Sequence, residues 1–177
     1  VGQRAFSDSR SFGVASSVRP RMRRQLAAEY DCVNTPWNSV DAGTVWVDNV
    51  ARAAQVLPAL HETRALWLEE PFVSGALDAY HALSVQAGSL KLAGGEGAHN
   101  IWMARHMLHH GGVGYLQIDC GRIGGISVAK QAADDAVARG VTFVNHTVTS
   151  HLALSASLQP FAGLEKDVIC EYPVEPK

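Results

Sequence analysis

The chain has 177 residues, is 47% hydrophobic and carries a formal net charge of −2. That size and apolar content are enough to bury one sizeable core. The near-neutral charge excludes the strongly basic surface that binds nucleic acids or anionic membranes, and no apolar run approaches the ~20 residues of a membrane span. We therefore expect neither a nucleic-acid partner nor a membrane partner.

The N-terminal residues and the cysteines bear on location. Residues 1–17 are polar and rich in Gly and Ser, which is not typical of a signal peptide. The three cysteines are odd in number and form no CxxC pair. This pattern favours a reducing, cytoplasmic setting over a disulfide framework.

The chain divides into two unequal parts. Residues 1–37 are rich in Ser and Arg and show little apolar periodicity, so we predict an atypical, poorly ordered segment there. Residues 38–177 alternate regularly between apolar runs and amphipathic stretches, and we predict one domain.

Helical periodicity recurs five times in this domain. Asp48 is placed to cap the first helix, and Gly88 and Gly140 follow the second and fourth helices as stop signals. The runs between the helices are continuously apolar, as expected of parallel strands buried on both faces. The predicted helices cover residues 48–60, 75–86, 100–110, 127–139 and 150–158.

Six side chains that can do chemistry follow short apolar runs, and consecutive members are 23 to 28 residues apart. One βα unit has about that length, and a (β/α) barrel gathers the C-terminal ends of its strands around one active site. A closed eight-stranded barrel takes ~250 residues, so we predict an α/β fold that is an incomplete (β/α) barrel. The six residues are Asp41, Glu69, Glu96, Asp119, His146 and Glu171.

Three of these residues are carboxylates from successive strand ends. Asp41, Glu69 and Glu96 would repel one another at close range, and a divalent cation removes that cost. All-oxygen ligands favour a hard ion, so the pattern predicts a Mg²⁺ site. The alternative is that the three are solvent-exposed loop acids.

Asp119 and His146 end the next two predicted strands. Neighbouring strands lie ~4.8 Å apart, so the two side chains can meet. An Asp that accepts a hydrogen bond from one ring nitrogen fixes the His tautomer, and the other nitrogen can then act as a general acid or base. The alternative is a histidine packed on a strand and satisfied by the backbone.

The ordered motifs resemble the C-terminal barrel of the enolase superfamily, in its mandelate racemase and muconate lactonizing enzyme-like subgroup. The resemblance runs from about residue 41 to residue 172. The motifs that carry it are Val40-Asp41-Ala42-Gly43, Trp67-Leu68-Glu69-Glu70-Pro71, Gly94-Gly95-Glu96, the run from Gln117 to Ile126, and Asn145-His146-Thr147.

This resemblance implies a role for each residue. Asp41, Glu69 and Glu96 match the three Mg²⁺ ligands, and His146 matches the catalytic base, with Asp119 as its partner. The final acid, Glu171, falls where the family places a group that hydrogen-bonds the substrate. By the same comparison, Glu70 beside Glu69 either supports a ligand from behind or is structural, and Arg122 is a structural residue or an ion-pair member.

The implied chemistry is removal of the proton α to the carboxylate of a small substrate. We expect dehydration of a hydroxy-carboxylate such as an acid sugar, because a His-Asp pair can both take the proton and protonate the leaving group. Racemisation or epimerisation is the first alternative; it needs a second acid/base, and the family's Lys-x-Lys pair is not found before Asp41.

Two further alternatives remain open from the sequence. An incomplete barrel exposes sheet edges that invite pairing with another chain, which predicts a homo-oligomer or a catalytically inactive binding module. A phosphate-binding protein would instead use Gly124-Gly125 at the start of the following helix.

Overall fold

The computed structural model describes residues 39–148, 150–165 and 169–172. Within these ranges five parallel strands form one sheet, and helices connect them. The predicted disorder of residues 1–37 lies outside the described residues. The strands are β1 (Val40–Asp41), β2 (Trp67–Glu69), β3 (Lys91–Gly94), β4 (Tyr115–Asp119) and β5 (Thr142–His146).

The sheet follows chain order, β1-β2-β3-β4-β5, and every neighbouring pair is parallel. The registers align strand ends: Asp41 lies opposite Glu69, and Asp119 lies opposite His146. Ile169 forms a further parallel bridge to Val144, on the far side of β5. All carboxyl ends therefore point to one edge of the sheet, which confirms the predicted α/β fold and its incomplete barrel.

The helix-facing side of the sheet carries the hydrophobic core. Leu68, Leu92, Leu116 and Phe143 are at most 2% exposed and belong to one cluster with residues of the surrounding helices. Large aliphatic side chains on successive strands fill the space under the helices, as parallel sheets require. This layer holds the strand ends in fixed relative positions.

The helices pack on that layer. The ends of the longer helices lie within two or three residues of the predicted ends, because both the apolar spacing and the glycines that stop the helices are evident in the sequence. The helices are α1 (Val50–Ala54), α2 (Leu57–Glu62), α3 (Leu77–Gln86), α4 (Ile101–His106), α5 (Cys120–Ile123), α6 (Ile126–Val137) and α7 (His151–Leu158).

The prediction of a single helix over residues 48–60 is wrong. Two short helices, α1 and α2, occupy that range, with Pro58 in the first turn of the second. Proline lacks an amide hydrogen and its ring clashes with the carbonyl four residues earlier, so α1 ends at Ala54. The cap is also displaced by one residue: Asn49, not Asp48, accepts the amide hydrogen of Arg52 at 3.1 Å.

Two further details were not predicted. The helix that begins at Ile101 continues after His106 as a π-helical turn over Met107–Gly111, and it ends at Gly112 in the left-handed region. The one-turn helix α5 follows β4 directly, and Asp119 caps it. Among the described residues no helix has the length and apolar character to cross a membrane.

Candidate active site

The six predicted residues share the carboxyl edge of the sheet. Four of them are the last residue of their strand, namely Asp41, Glu69, Asp119 and His146. Glu96 follows the end of β3 by two residues, and Glu171 follows the Ile169 bridge by two residues. The period of the sequence therefore placed each of them at the edge where active sites of (β/α) barrels lie.

Asp119 and His146 form a hydrogen-bonded dyad at this edge. Oδ2 of Asp119 lies 2.8 Å from Nδ1 of His146. Oδ1 of Asp119 accepts the amide hydrogens of Gly121 and Arg122 at 2.7 and 3.1 Å, because Asp119 caps α5. Four-residue α5 thus fixes the carboxylate that orients the imidazole.

Glu96 is bound on both carboxylate oxygens. Arg122 donates from Nη1 to Oε1 at 2.8 Å, and Nε2 of His146 lies 3.1 Å from Oε2. Nε of Arg122 also lies 3.9 Å from Oδ2 of Asp119. Arg122 is therefore an ion-pair member, as the resemblance implied, and Glu96 joins it to the dyad.

Glu69 is buried at the end of β2. Nε1 of Trp67 donates to Oε2 of Glu69 at 3.0 Å, so this indole is more than a packing residue. Burial, and next the charge of Asp41 on the neighbouring strand, raise the pKa of Glu69 to about 7. Such a carboxylate favours either a proton or a cation.

Glu70 is still more strongly perturbed. It is 4% exposed, adopts a φ of 40°, and accepts the amide hydrogen of Gly95 at 3.2 Å. Burial, and next the charge of Glu96, raise its pKa to about 8. Its contact with Gly95 joins β2 to the loop that carries Glu96, in keeping with a structural role.

Glu171 is held by β5. The Asn145 side chain donates to the carbonyl of Glu171 at 3.0 Å and accepts its amide hydrogen at 2.8 Å. Oε2 of Glu171 accepts the amide hydrogen of Thr147 at 2.8 Å. Burial raises the pKa of Glu171, although the nearby His146 works in the opposite direction. The side chain is thereby placed beside the dyad.

The donor set suits a hard divalent cation. Across the described ranges, no three His, Cys, Asp or Glu side chains are grouped closely enough to enclose a metal ion. Even so, Asp41 and Glu69 lie opposite each other, and carboxylate charges at this edge raise the pKa of Glu69, Glu70 and Glu171. A Mg²⁺ ion would relieve that repulsion, and Asp41, Glu69 and Glu96 are the residues that would hold it. The ligand assignment stays a prediction.

One further residue of this region was missed. Gln117 lies on β4 two residues before Asp119, so both side chains are on the same face of the sheet. It is 2% exposed, and its hydrogen bond to Glu69 lowers the pKa of that carboxyl against the effect of burial. A polar residue within an apolar strand was the signal that could have identified it.

The comparisons with known proteins concern the same part of the chain. The family described as enolase C-terminal domain-like matches residues 25–177. A D-galactarolactone cycloisomerase of Agrobacterium fabrum (strain C58 / ATCC 33970) is 37% identical over 114 residues, which are 62% of this chain and 29% of that protein. A D-galactonate dehydratase of Variovorax paradoxus (strain S110) is 34% identical over 122 residues, which are 68% of this chain and 32% of that protein.

Solved structures also match most of this chain. A structure described as a predicted mandelate racemase from Rhodobacter sphaeroides is 58% identical, with a TM-score of 0.73, and the match covers 77% of this chain and 35% of that one. A racemase from Streptomyces coelicolor A3(2), solved with bound magnesium, is 23% identical, with a TM-score of 0.65 over 75% of this chain and 37% of that one; it shows the fold alone. The chain spans about a third of the length of these proteins.

Proposed function

Because this chain belongs to the enolase C-terminal domain-like family, we propose that its site removes the proton α to a carboxylate and so dehydrates a hydroxy-carboxylate of the acid-sugar class. The observation that carries the proposal is the 2.8 Å contact between Nδ1 of His146 and Asp119 in the middle of a row of carboxylates. This chain covers about a third of the length of its relatives, and we propose the activity for the site that the chain itself contains.

The dyad performs the proton transfers. Asp119 accepts from Nδ1, which leaves the lone pair on Nε2 of His146 as the base. Nε2 lies 3.1 Å from Oε2 of Glu96, so Glu96 has to release it before a substrate proton can be taken. The protonated His146 can then give its proton to the departing β-hydroxyl, which completes loss of water.

The other acids would hold the ion and the substrate. Asp41, Glu69 and Glu96 are the residues that would hold Mg²⁺, which when bound supplies positive charge for the negative charge that develops on the substrate carboxylate. Glu171, fixed by Asn145 and Thr147, would hydrogen-bond the substrate on the dyad side.

The relatives support the substrate class. One is named a D-galactonate dehydratase and another a D-galactarolactone cycloisomerase, so we propose D-galactonate as the first compound to test. The cycloisomerase favours a second candidate, an isomerase that shares the abstraction step. A racemase would need a second acid/base, and among the described residues no lysine lies at the dyad.

The decisive experiment separates abstraction from its outcome. D-Galactonate is incubated with the 177-residue chain and Mg²⁺ in D₂O, and NMR follows both exchange of the α-proton and formation of the 2-keto-3-deoxy product. We expect both signals, with His146→Asn abolishing them and His61→Asn, an exposed histidine on α2, leaving them unchanged. Exchange without product would favour the isomerase. No exchange in the unmodified chain would reject the proposal and leave the inactive binding module.

The cellular location and the oligomeric state are also part of the proposal. We place the protein in the cytoplasm, because Cys120 and Cys170 are both free thiols. We also propose that it assembles as a homo-oligomer; a molecular mass of one chain by light scattering would reject that assignment.

A further inference from the structure

Four side chains at the carboxyl edge form a closed ring of contacts. Nη1 of Arg122 donates to Oε1 of Glu96 at 2.8 Å, and Oε2 of Glu96 lies 3.1 Å from Nε2 of His146. Nδ1 of His146 lies 2.8 Å from Oδ2 of Asp119, and that same oxygen lies 3.9 Å from Nε of Arg122. Arg122 is therefore paired with both acids that contact the imidazole of His146.

The position of Arg122 is fixed by its backbone as well as by its side chain. Oδ1 of Asp119 accepts the amide hydrogen of Arg122 at 3.1 Å, within the one-turn helix α5. That helix ends at Gly124, and the amide of Gly125 closes the turn on the carbonyl of Cys120 at 2.8 Å. A guanidinium is planar and offers its donors in a fixed fork, so an arginine anchored in this way holds two acids at one spacing.

Glu96, in contrast, has little in its own loop to orient it. It lies between Gly95 and Gly97, and glycine restricts the backbone less than any other residue. Its side chain is 25% exposed, and within the described residues its carboxylate is bound by Arg122 and His146. Arg122 also donates to the carbonyl of Glu96 at 3.4 Å, so it binds the loop as well as the carboxylate. The direction of Glu96 is thus set by a residue of the following βα unit.

We infer that Arg122 is a positioning residue of this site: it holds the Glu96 carboxylate as a Mg²⁺ ligand and, through Asp119, keeps the imidazole of His146 in its orientation. This role rests on the proposed function, because that function names the ligand and the base that Arg122 serves. It goes beyond an ion pair that stabilises the fold, since the loss of Arg122 should change metal binding and catalysis.

The first test measures Mg²⁺ affinity by isothermal titration calorimetry, which needs no substrate. Arg122→Gln should weaken Mg²⁺ binding about tenfold, because Glu96 loses a hydrogen bond from a charged donor. Arg122→Lys keeps one charged donor but not the fork, and should weaken it about threefold. The direction of the change is diagnostic: a guanidinium that acted only by its charge would repel the cation, and its removal would tighten binding.

Arg105 supplies the matched control. Its Nε lies 2.8 Å from Oδ2 of Asp135, and the two side chains are 31% and 27% exposed, against 38% and 25% for Arg122 and Glu96. This ion pair joins α4 to α6 and includes no residue of the carboxyl edge. Arg105→Gln should leave the Mg²⁺ affinity unchanged. Equal weakening in the two glutamine variants would overturn the inference, because the loss of any such ion pair would then suffice.

The second test concerns the base. With D-galactonate and saturating Mg²⁺, Arg122→Gln should lower kcat about tenfold and change KM less than about twofold, because the orientation of the imidazole matters most in the transition state. Arg122→Lys should recover part of the loss in kcat, and Arg105→Gln should leave kcat unchanged. An unchanged kcat in Arg122→Gln would overturn the role of Arg122 toward His146.

The two tests separate this inference from the proposed function. Unchanged or tighter Mg²⁺ binding in Arg122→Gln would overturn the inference and leave the proposed function intact. Weakened Mg²⁺ binding in a chain that exchanges no α-proton would uphold the positioning of Glu96 and reject the proposed reaction. No Mg²⁺ binding by the unmodified chain would overturn both. If Arg122→Gln fails to fold, as judged by thermal unfolding, Arg122→Lys carries the test, and an affinity at least equal to that of the unmodified chain overturns the inference.

Discussion

The helix-facing side of the sheet and its carboxyl edge are built from the same strands but from opposite kinds of residue. On the helix-facing side, Leu68, Leu92 and Leu116 are at most 1% exposed and belong to one hydrophobic cluster. At the edge, Glu69 and Glu70 are almost as well buried, and burial raises the pKa of both. Burial therefore stabilises the fold in the first region and destabilises it in the second, and the first has to offset the second.

The largest expected effect concerns the helix-facing side. Leu116→Ala removes a fully buried side chain from β4 and should lower the free energy of unfolding by about 3 kcal/mol in urea denaturation. The matched control is Leu152→Ala on α7, where the leucine is 84% exposed and the change should stay within about 0.5 kcal/mol. Equal effects at the two positions would show that burial on the helix-facing side does not stabilise the fold.

At the carboxyl edge, we expect a substitution to raise the free energy of unfolding instead of lowering it. The folded-state pKa of Glu70 is raised from 4.5 to about 8, so its contribution to stability is full below pH 4.5 and is lost as the pH rises toward 8. Glu70→Gln keeps an acceptor for Gly95 and should raise the free energy of unfolding at pH 8, without metal, by a few kcal/mol. The gain should nearly vanish at pH 5. Urea denaturation at the two pH values measures it.

Its control is Glu62→Gln, an exposed acid on α2, which should be neutral at both pH values. A Glu70→Gln variant that is less stable at pH 8 than the unmodified chain would show that the Glu70 carboxylate stabilises the fold instead of destabilising it.

Metal binding also distinguishes an acid at the carboxyl edge from an acid elsewhere on the surface. Glu96→Gln should weaken Mg²⁺ binding at least tenfold in isothermal titration calorimetry, which corresponds to about 1.4 kcal/mol. Glu165→Gln, an exposed acid that follows no strand end, should leave the affinity unchanged. If both variants bind like the unmodified chain, the three carboxylates do not form one site.

The smallest effect is expected for Asn100, a polar residue that caps a helix after the same edge of the sheet. Asn100 caps α4, where its side chain accepts the amide hydrogen of Met103 at 3.1 Å. Asn100→Ala should lower the free energy of unfolding by about 1 kcal/mol, while Asn100→Asp should retain the cap. Thermal unfolding of the three proteins decides it, and a neutral Asn100→Ala would remove Asn100 from the stabilising residues.

The residues at the carboxyl edge could be predicted because every strand runs in the same direction, so that all strand ends lie at one edge. Each candidate acid follows an apolar run, and the βα period determines at which end of the sheet it lies. Hence the placement of Asp41, Glu69, Asp119 and His146 could be predicted from the sequence.

What could not be predicted depends on side-chain direction and on single-residue effects. The spacing does not say that Glu96 turns toward Arg122 and His146, since that choice is made between loops far apart in sequence. Nor does periodicity show where a helix breaks; Pro58 carried that signal, and the apolar pattern across it concealed the break.

The amide of Asn145 has a consequence for how this region would respond to exchange with solvent. Its oxygen and nitrogen bind the N–H and C=O of Glu171, as the backbone of an adjacent strand would. The amide proton of Glu171 should thus resist hydrogen–deuterium exchange without belonging to any ladder of the sheet. A single side chain that is 0% exposed acts there as a substitute peptide unit for Glu171.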